Sequence, residues 1–306
     1  MNVLILTPDG VGSTILQRIV TLALHLMKDD VINCHELTNG LAKIDNKIHK
    51  DRSIGYNQTL EDIATLLKQS TGSLVSRLAK YHLDIRKDEL KSQKEFYKFL
   101  KEFNDKILIC KRRNVFEYAM SWSIREKSGL LNIYEKKERK LLKTISNVDQ
   151  KYFLKKCKEY VEYLKWIDEN FNNYETVYYE DFALNPDKII AEHFNSKQVF
   201  YDNFKSDLGS IFQLEYLVSN NIIPGIDNEK FYPLLKYKTM MVSLEKQNVL
   251  SNVRTPIKNT TLRDKKSIVK NYNECKEIFL DFSRNHNWID NSIIDYDFWN
   301  EKNTHE

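Results

Sequence analysis

The chain reads as an α/β protein: a central, mostly parallel sheet flanked by helices, with a helical C-terminal part. Three observations predict this. Short continuous apolar runs occur at residues 3–7 and 107–110, as expected of strands buried in a parallel sheet, and residues 31–36 and 176–179 read as further short strands. Between them lie stretches with apolar residues three and four apart, the spacing of helices that cross over a sheet. The 306 residues contain only 8 Gly and 5 Pro, where about 7% and 5% would be ordinary, and no linker or internal repeat interrupts the pattern. A single domain over residues 1–306 is therefore expected, with a core at 1–195 and a mostly helical portion at 196–306.

Each element is predicted by local pattern. Residues 3–7 (Val-Leu-Ile-Leu-Thr) predict a buried strand, Pro8 to Gly12 a turn, and Ser13 onward a helix, with Ile15, Ile19, Leu22 and Leu26 on one face. Residues 31–36 predict a second strand, 40–58 a polar loop and 60–69 a helix. The stretch 74–83 is ambiguous, and a strand is favoured at 79–83. A helix at 95–103 leads to the strand at 107–110. Asn114 is placed to cap a helix over 115–127, and Asp149 to cap a long amphipathic helix reaching Phe171. After the strand at 176–179, Pro186 marks a first helical turn running to Phe194. Residues 208–250 and 264–286 read as mainly helical, and the terminal aromatics Trp288, Tyr296, Phe298 and Trp299 as packing back on the domain.

Composition excludes several classes. Hydrophobic residues make up 42% and charged residues 29%, enough apolar content for a core and too much for a disordered chain. The net charge of +4 is mild for 47 basic and 43 acidic residues, so no nucleic-acid partner is expected; an anionic small ligand in a local basic pocket suits it. The four cysteines (34, 110, 157 and 275) form no CxxC pair, which argues against a zinc or dithiol site. Cys34 and Cys110 sit in apolar stretches as reduced core residues. No basic, apolar leader and no run of 18 apolar residues occurs, so a cytoplasmic protein without a membrane span is expected.

Two loops carry the chemistry. Thr7-Pro-Asp-Gly-Val-Gly-Ser-Thr14 joins a strand to a helix. Glycines there allow close backbone approach, and the helix's first N–H groups lack intrahelical partners, a combination suited to a phosphate. A Walker A loop is absent, since no Lys precedes Ser13, and the dinucleotide fingerprint fails at Ile15. The second loop, Lys111-Arg-Arg-Asn114, leads into a helix carrying Glu117 and Ser121. An Arg at a strand end and a Ser two helical turns later can converge on one anion.

These residues resemble the sulfotransferases that use 3′-phosphoadenosine 5′-phosphosulfate (PAPS). Their first motif, P-[RK]-x-G-[ST]-T, is similar to Pro8-Asp-Gly-Val-Gly-Ser-Thr14 with one residue more. Their second, R-[DN]-P-x-D-x-x-x-S, is similar to Arg113-Asn-Val-Phe-Glu-Tyr-Ala-Met-Ser121, with Val115 in place of Pro. A third landmark, Y-E-D-[LF] followed by Asn/Asp-Pro, is matched by Tyr179-Glu-Asp-Phe-Ala-Leu-Asn-Pro186. The resemblance covers residues 3–186. It implies a P-loop-like sulfotransferase fold, PAPS as sulfuryl donor, and no metal. It further implies that Gly10, Val11, Gly12, Ser13 and Thr14 hold the 5′-phosphosulfate end, and Arg113 and Ser121 the 3′-phosphate.

The family's basic residue in the first loop is missing; Asp9, Gly10 and Val11 stand there. Sulfuryl transfer needs a cation near the bridging oxygen and a base near the acceptor hydroxyl. Lys80-Tyr-His-Leu83 resembles the K-[TS]-H-L strand of the cytosolic branch. On a strand, Lys80 and His82 would share a face, so Lys80 would supply the cation and His82 the base. Glu36, after the second strand, is the alternative base, as in the carbohydrate and tyrosylprotein sulfotransferases. His35 begins no HExxH motif, because residue 39 is Asn. Arg254, Lys258 and Arg263 are candidates for a late basic loop over the 3′-phosphate, Lys258 foremost. The acceptor is expected to be a hydroxyl of a carbohydrate, lipid or small molecule, met by loops near 40–75 and 200–250. A non-catalytic nucleotide-binding protein on the same fold and a nucleotide-dependent phosphotransferase are the competing functions.

Overall fold

The structure is a computed structural model, and it describes residues 1–8, 10–26, 31–40, 59–69, 72–84, 90–129, 147–184, 192–194 and 265–295. The chain divides into two compact units: residues 1–111 with 166–253, and residues 112–165 with 254–306.

The first unit holds a five-stranded sheet of β1 (Val3–Thr7), β2 (Val31–Glu36), β3 (Ser73–Ala79), β4 (Lys106–Lys111) and β5 (Glu175–Tyr178) in the order β2-β3-β1-β4-β5. Every pairing is parallel. All residues of β1 and β3 are buried, as are Ile107 to Cys110 of β4; strands covered on both faces need no polar side, which explains the continuous apolar runs of β1 and β4. The described helices of this unit are α1 (Ser13–Leu26), α2 (Leu37–Gly40), α3 (Leu60–Gln69), α4 (Lys80–Asp84) and α5 (Leu90–Phe103). The α5 helix buries Phe96, Tyr97 and Leu100, with the Tyr97 ring 5.6 Å from Trp166 and 5.5 Å from Phe171.

From β1 the chain runs outward to β2 and back to β3, then crosses to β4 and β5 on the other side. The ends of β1 and β4 lie together, Leu6 in register with Ile109. Such a reversal of strand order is where open parallel sheets hold ligands, beyond the carboxyl ends of the strands.

The second unit is helical in its described residues: α6 (Val115–Ser128), most of α7 (Gln150–Asn170), α9 (Lys265–Ile268), α10 (Tyr272–Ser283) and a 3₁₀ turn at Asn291–Ile293. In the first unit, β5 continues into α8 (Tyr179–Leu184). The second unit's core forms around Phe116, whose ring meets Phe153, Tyr272 and Phe279 edge-on at 5.2–5.5 Å. Such pairs are worth roughly 0.5–1.5 kcal/mol each beyond area burial.

The caps form as expected. Asn114 accepts from the Glu117 N–H at 2.9 Å to start α6, and Asp149 accepts from the Lys151 N–H at 2.8 Å to start α7. One element differs. The third strand is Ser73–Ala79, and residues 80–84 are a helix. Ser76 and Arg77 make this stretch read as too polar for a buried strand, yet both are buried because each finds a partner: Ser76 Oγ donates to the Val3 carbonyl at 3.4 Å and Arg77 to Ser13. Trp288 is 52% exposed rather than packed inward. The loop at 41–58, the helix start at Pro186, the stretch 208–250, and Tyr296, Phe298 and Trp299 lie outside the described residues. No helix among the described residues is long and apolar enough to cross a membrane.

Candidate functional site

The first loop is built by glycine stereochemistry and by what packs on it. Gly10 and Gly12 both have positive φ, 77° and 87°, which L side chains rarely adopt. Val11 between them is fully buried, and its carbonyl accepts from Cys110 Sγ at 3.6 Å. That contact ties the loop to the end of β4. The Gly12 carbonyl accepts from the Leu16 N–H at 3.2 Å, so Gly12 caps α1 without a side chain. A Cβ on Gly12 would run into the ring of Tyr179, with Cε2 at 2.7 Å and Cδ2 closer. The first and third sequence landmarks thus touch: the aromatic ring that opens α8 covers the glycine that opens α1. Part of the requirement for Gly12 is this ring.

Ser13 is 6% exposed, and its Oγ accepts from Arg77 Nη1 at 3.1 Å. Arg77 itself is 4% exposed. It projects from β3, where its register partners are Ile5 on β1 and Glu36 on β2. The β2–β3 register shifts between Asn33 and His35, so Glu36 rather than His35 comes opposite Arg77. A bulge re-aims the residues after it. Ser13 and Arg77 are therefore joined by a hydrogen bond, and Glu36 stands opposite Arg77 in register. Nothing in the sequence marks Arg77, because its polar surroundings do not read as a strand.

The expected pairing of Lys80 and His82 on one strand face does not hold. Both lie in α4, and residues two apart on a helix do not face one another. Lys80 Nζ donates to both carboxylate oxygens of Asp84, at 2.8 and 2.9 Å. Thr14 lies in the first turn of α1. Asp9, Arg254, Lys258 and Arg263 are outside the described residues.

In the second unit, Tyr160 of α7 fixes the basic loop. Its hydroxyl accepts from the Arg112 N–H at 2.8 Å and donates to the Arg112 carbonyl at 3.0 Å. Arg113 is exposed, and Ser121 is half-buried. Glu117, Ser121 and Arg125 succeed one another at four-residue spacing along one stripe of α6. Lys265, 4% exposed, donates to the Glu117 carboxylate. Burial pushes the Lys265 ammonium below its ordinary pKa; the Glu117 carboxylate opposes this, while Arg112 and Arg125 add to it. The buried Lys265 ammonium is thus answered by one carboxylate, with Arg112 and Arg125 near enough to oppose its charge. Arg125 could have been found from its four-residue offset from Ser121. Lys265 lies 148 residues from its partner, and no local pattern announces it.

Lys111, the last residue of β4, is half-buried with its Nζ 5.6 Å from the centre of the Tyr174 ring. Burial lowers its pKa, against the pull of Asp168.

Fold and site together define a parallel α/β protein with a buried arginine at its first strand–helix loop. Searches against protein-family models, curated proteins and solved structures found no match.

Proposed function

We propose that the chain is a PAPS-dependent sulfotransferase. The observation that carries this reading is the first loop: strand, positive-φ glycines and helix start, with a buried cation hydrogen-bonded to the helix's first serine. A dianionic phosphosulfate suits such a loop, because backbone N–H groups, the helix dipole and a cation all favour negative charge. The packing of Tyr179 on Gly12 supports it further, since it joins two of the three landmarks on which the resemblance rests. Gly10, Val11, Gly12, Ser13 and Thr14 would hold the 5′ end of the donor, and Arg113 and Ser121 its 3′-phosphate.

The reaction balances without an added cofactor. The acceptor oxygen attacks sulfur, and its proton passes to His82 or Glu36. The bond from sulfur to the bridging oxygen breaks, and 3′-phosphoadenosine 5′-phosphate (PAP) leaves carrying that oxygen. Charge accumulates on the bridging oxygen, where a fixed cation accelerates the step.

A second reading is favoured by one observation. The ammonium of Lys80, expected to serve the leaving group, is held by Asp84; a chain without that cation would bind PAP or PAPS without turning it over. Incubation with PAPS labelled in the sulfuryl group, together with a panel of sugar, lipid and phenol hydroxyls, separates the two. Label in an acceptor supports the enzyme. Nucleotide binding with no transfer across the panel supports the binding protein. Failure to bind PAP or PAPS contradicts both.

A further inference from the structure

We infer that Arg77 is the positioning residue of the first loop: through Ser13 it supplies the positive charge that the loop's own sequence lacks. The inference rests on the proposed function and deepens it.

The loop contains no basic residue between Pro8 and Thr14. Lys80 is engaged by Asp84. The cation hydrogen-bonded to Ser13 comes instead from the sheet itself. Arg77 stands on β3, next to β1, and is 4% exposed. Burying a guanidinium is costly unless its donors and its charge are answered. One donor, Nη1, goes to Ser13 Oγ at 3.1 Å. The direction of that bond matters. Because Ser13 Oγ accepts from the guanidinium, its own hydrogen must be donated away from Arg77. A neighbouring cation polarises that O–H and makes it a stronger donor.

Ser13 is the first residue of α1, directly after a capping glycine that has no side chain to occupy the place. The hydroxyl is therefore left to donate elsewhere than to Arg77, with a buried charge behind it. Such preorganisation is what a group acting on a developing negative charge requires. An arginine on a strand is also more rigidly held than a lysine on a mobile loop, since its planar fork is oriented before the anion binds.

The recognised chemistry is a 5′-phosphate or 5′-phosphosulfate on the nucleotide. The probes are PAP and adenosine 3′-phosphate, which differ only in the 5′-phosphate. Wild-type protein is expected to bind PAP the more tightly in calorimetry. In Arg77→Gln and in Ser13→Ala the affinity for PAP is expected to fall roughly tenfold or more, the scale of a charged hydrogen bond, with the affinity for adenosine 3′-phosphate unchanged. Arg77→Lys is expected to recover part of the preference. A folded Arg77→Gln protein that keeps the full preference for PAP overturns the inference. So does a parallel loss of affinity for both nucleotides, which would assign Arg77 to the scaffold alone. If Arg77→Gln does not fold, Ser13→Ala decides by the same comparison. Wild-type protein that binds neither nucleotide overturns the proposed function and this inference with it, whereas a wild-type preference that survives the substitutions overturns the inference alone.

Discussion

At the scale of single residues, Gly12 and Arg77 carry most of the local logic. Gly12 answers two demands at once, a φ of 87° and the ring of Tyr179 where a Cβ would be. Gly12→Ala therefore combines a left-handed backbone penalty of roughly 1–2 kcal/mol with an overpacking cost of about 1–3 kcal/mol. A loss of stability of roughly 2–5 kcal/mol is expected in a denaturant titration. An alanine variant as stable as wild type would show that the ring does not sit on this glycine. The glycines are legible in the sequence as a turn poor in alternatives. That one of them is shaped by an aromatic ring 167 positions away is not, because nothing local to residues 8–14 encodes Tyr179. Arg77 is hidden for the opposite reason: a charged residue in a stretch rich in serine argues against a buried strand, and its bond to Ser13, which helps make the burial tolerable, is invisible in the local pattern.

At the scale of elements, α6 shows how a short pattern and a distant partner combine. Its start is set locally by Asn114, which caps it and also donates through Nδ2 to the carbonyls of Ile293 at 2.5 Å and Ile294 at 3.1 Å. Its tie to a distant segment is Glu117 holding Lys265. Removing one partner of a buried pair costs about 3–5 kcal/mol because the other is left uncompensated. The two partners are not equivalent. Glu117→Gln strands Lys265 in a buried position with Arg112 and Arg125 near enough to disfavour its charge. Lys265→Met leaves behind Glu117, whose side chain is 26% exposed and open to water. Chemical denaturation is expected to rank Glu117→Gln as the more damaging of the two; the reverse order would contradict the charge distribution described for α6. The strands are legible where burial on both faces gives an unbroken apolar run, as in β1 and in Ile107 to Cys110 of β4. The Arg-to-Ser spacing is likewise visible, whereas Lys265 and Tyr160 reach their partners from 148 and 48 residues away.

At the scale of the whole molecule, acid stability depends on charges set at the ends of elements. In the first unit, Glu175 accepts from Lys106 at 2.8 Å and lies 2.5 Å from His193 Nδ1. Burial acts to raise its pKa, but the bonds and charges of Lys106 and His193 outweigh this and hold it below the ordinary 4.5. In the second unit, Lys276 does the same for Asp295. A carboxylate whose folded pKa is depressed stabilises the fold fully above its unfolded value, and loses that contribution as pH falls through the folded pKa. The melting temperature is therefore expected to hold steady down to about pH 5 and fall below it. Glu175→Gln should shallow the fall, by an amount limited by the exposure of this carboxylate. An unchanged acid limb in that variant would show that Glu175 does not contribute to it.

The central proposal is that this chain binds PAP, with Arg113 contributing to its affinity. The most direct measurement is a calorimetric titration of the full chain with PAP, repeated on Arg113→Ala. Saturable one-to-one binding is expected for the wild type, weakened by about 1.5–3 kcal/mol in the variant, the worth of a hydrogen bond to a charged group. No binding by the wild-type chain, or an affinity untouched by the loss of Arg113, would contradict it.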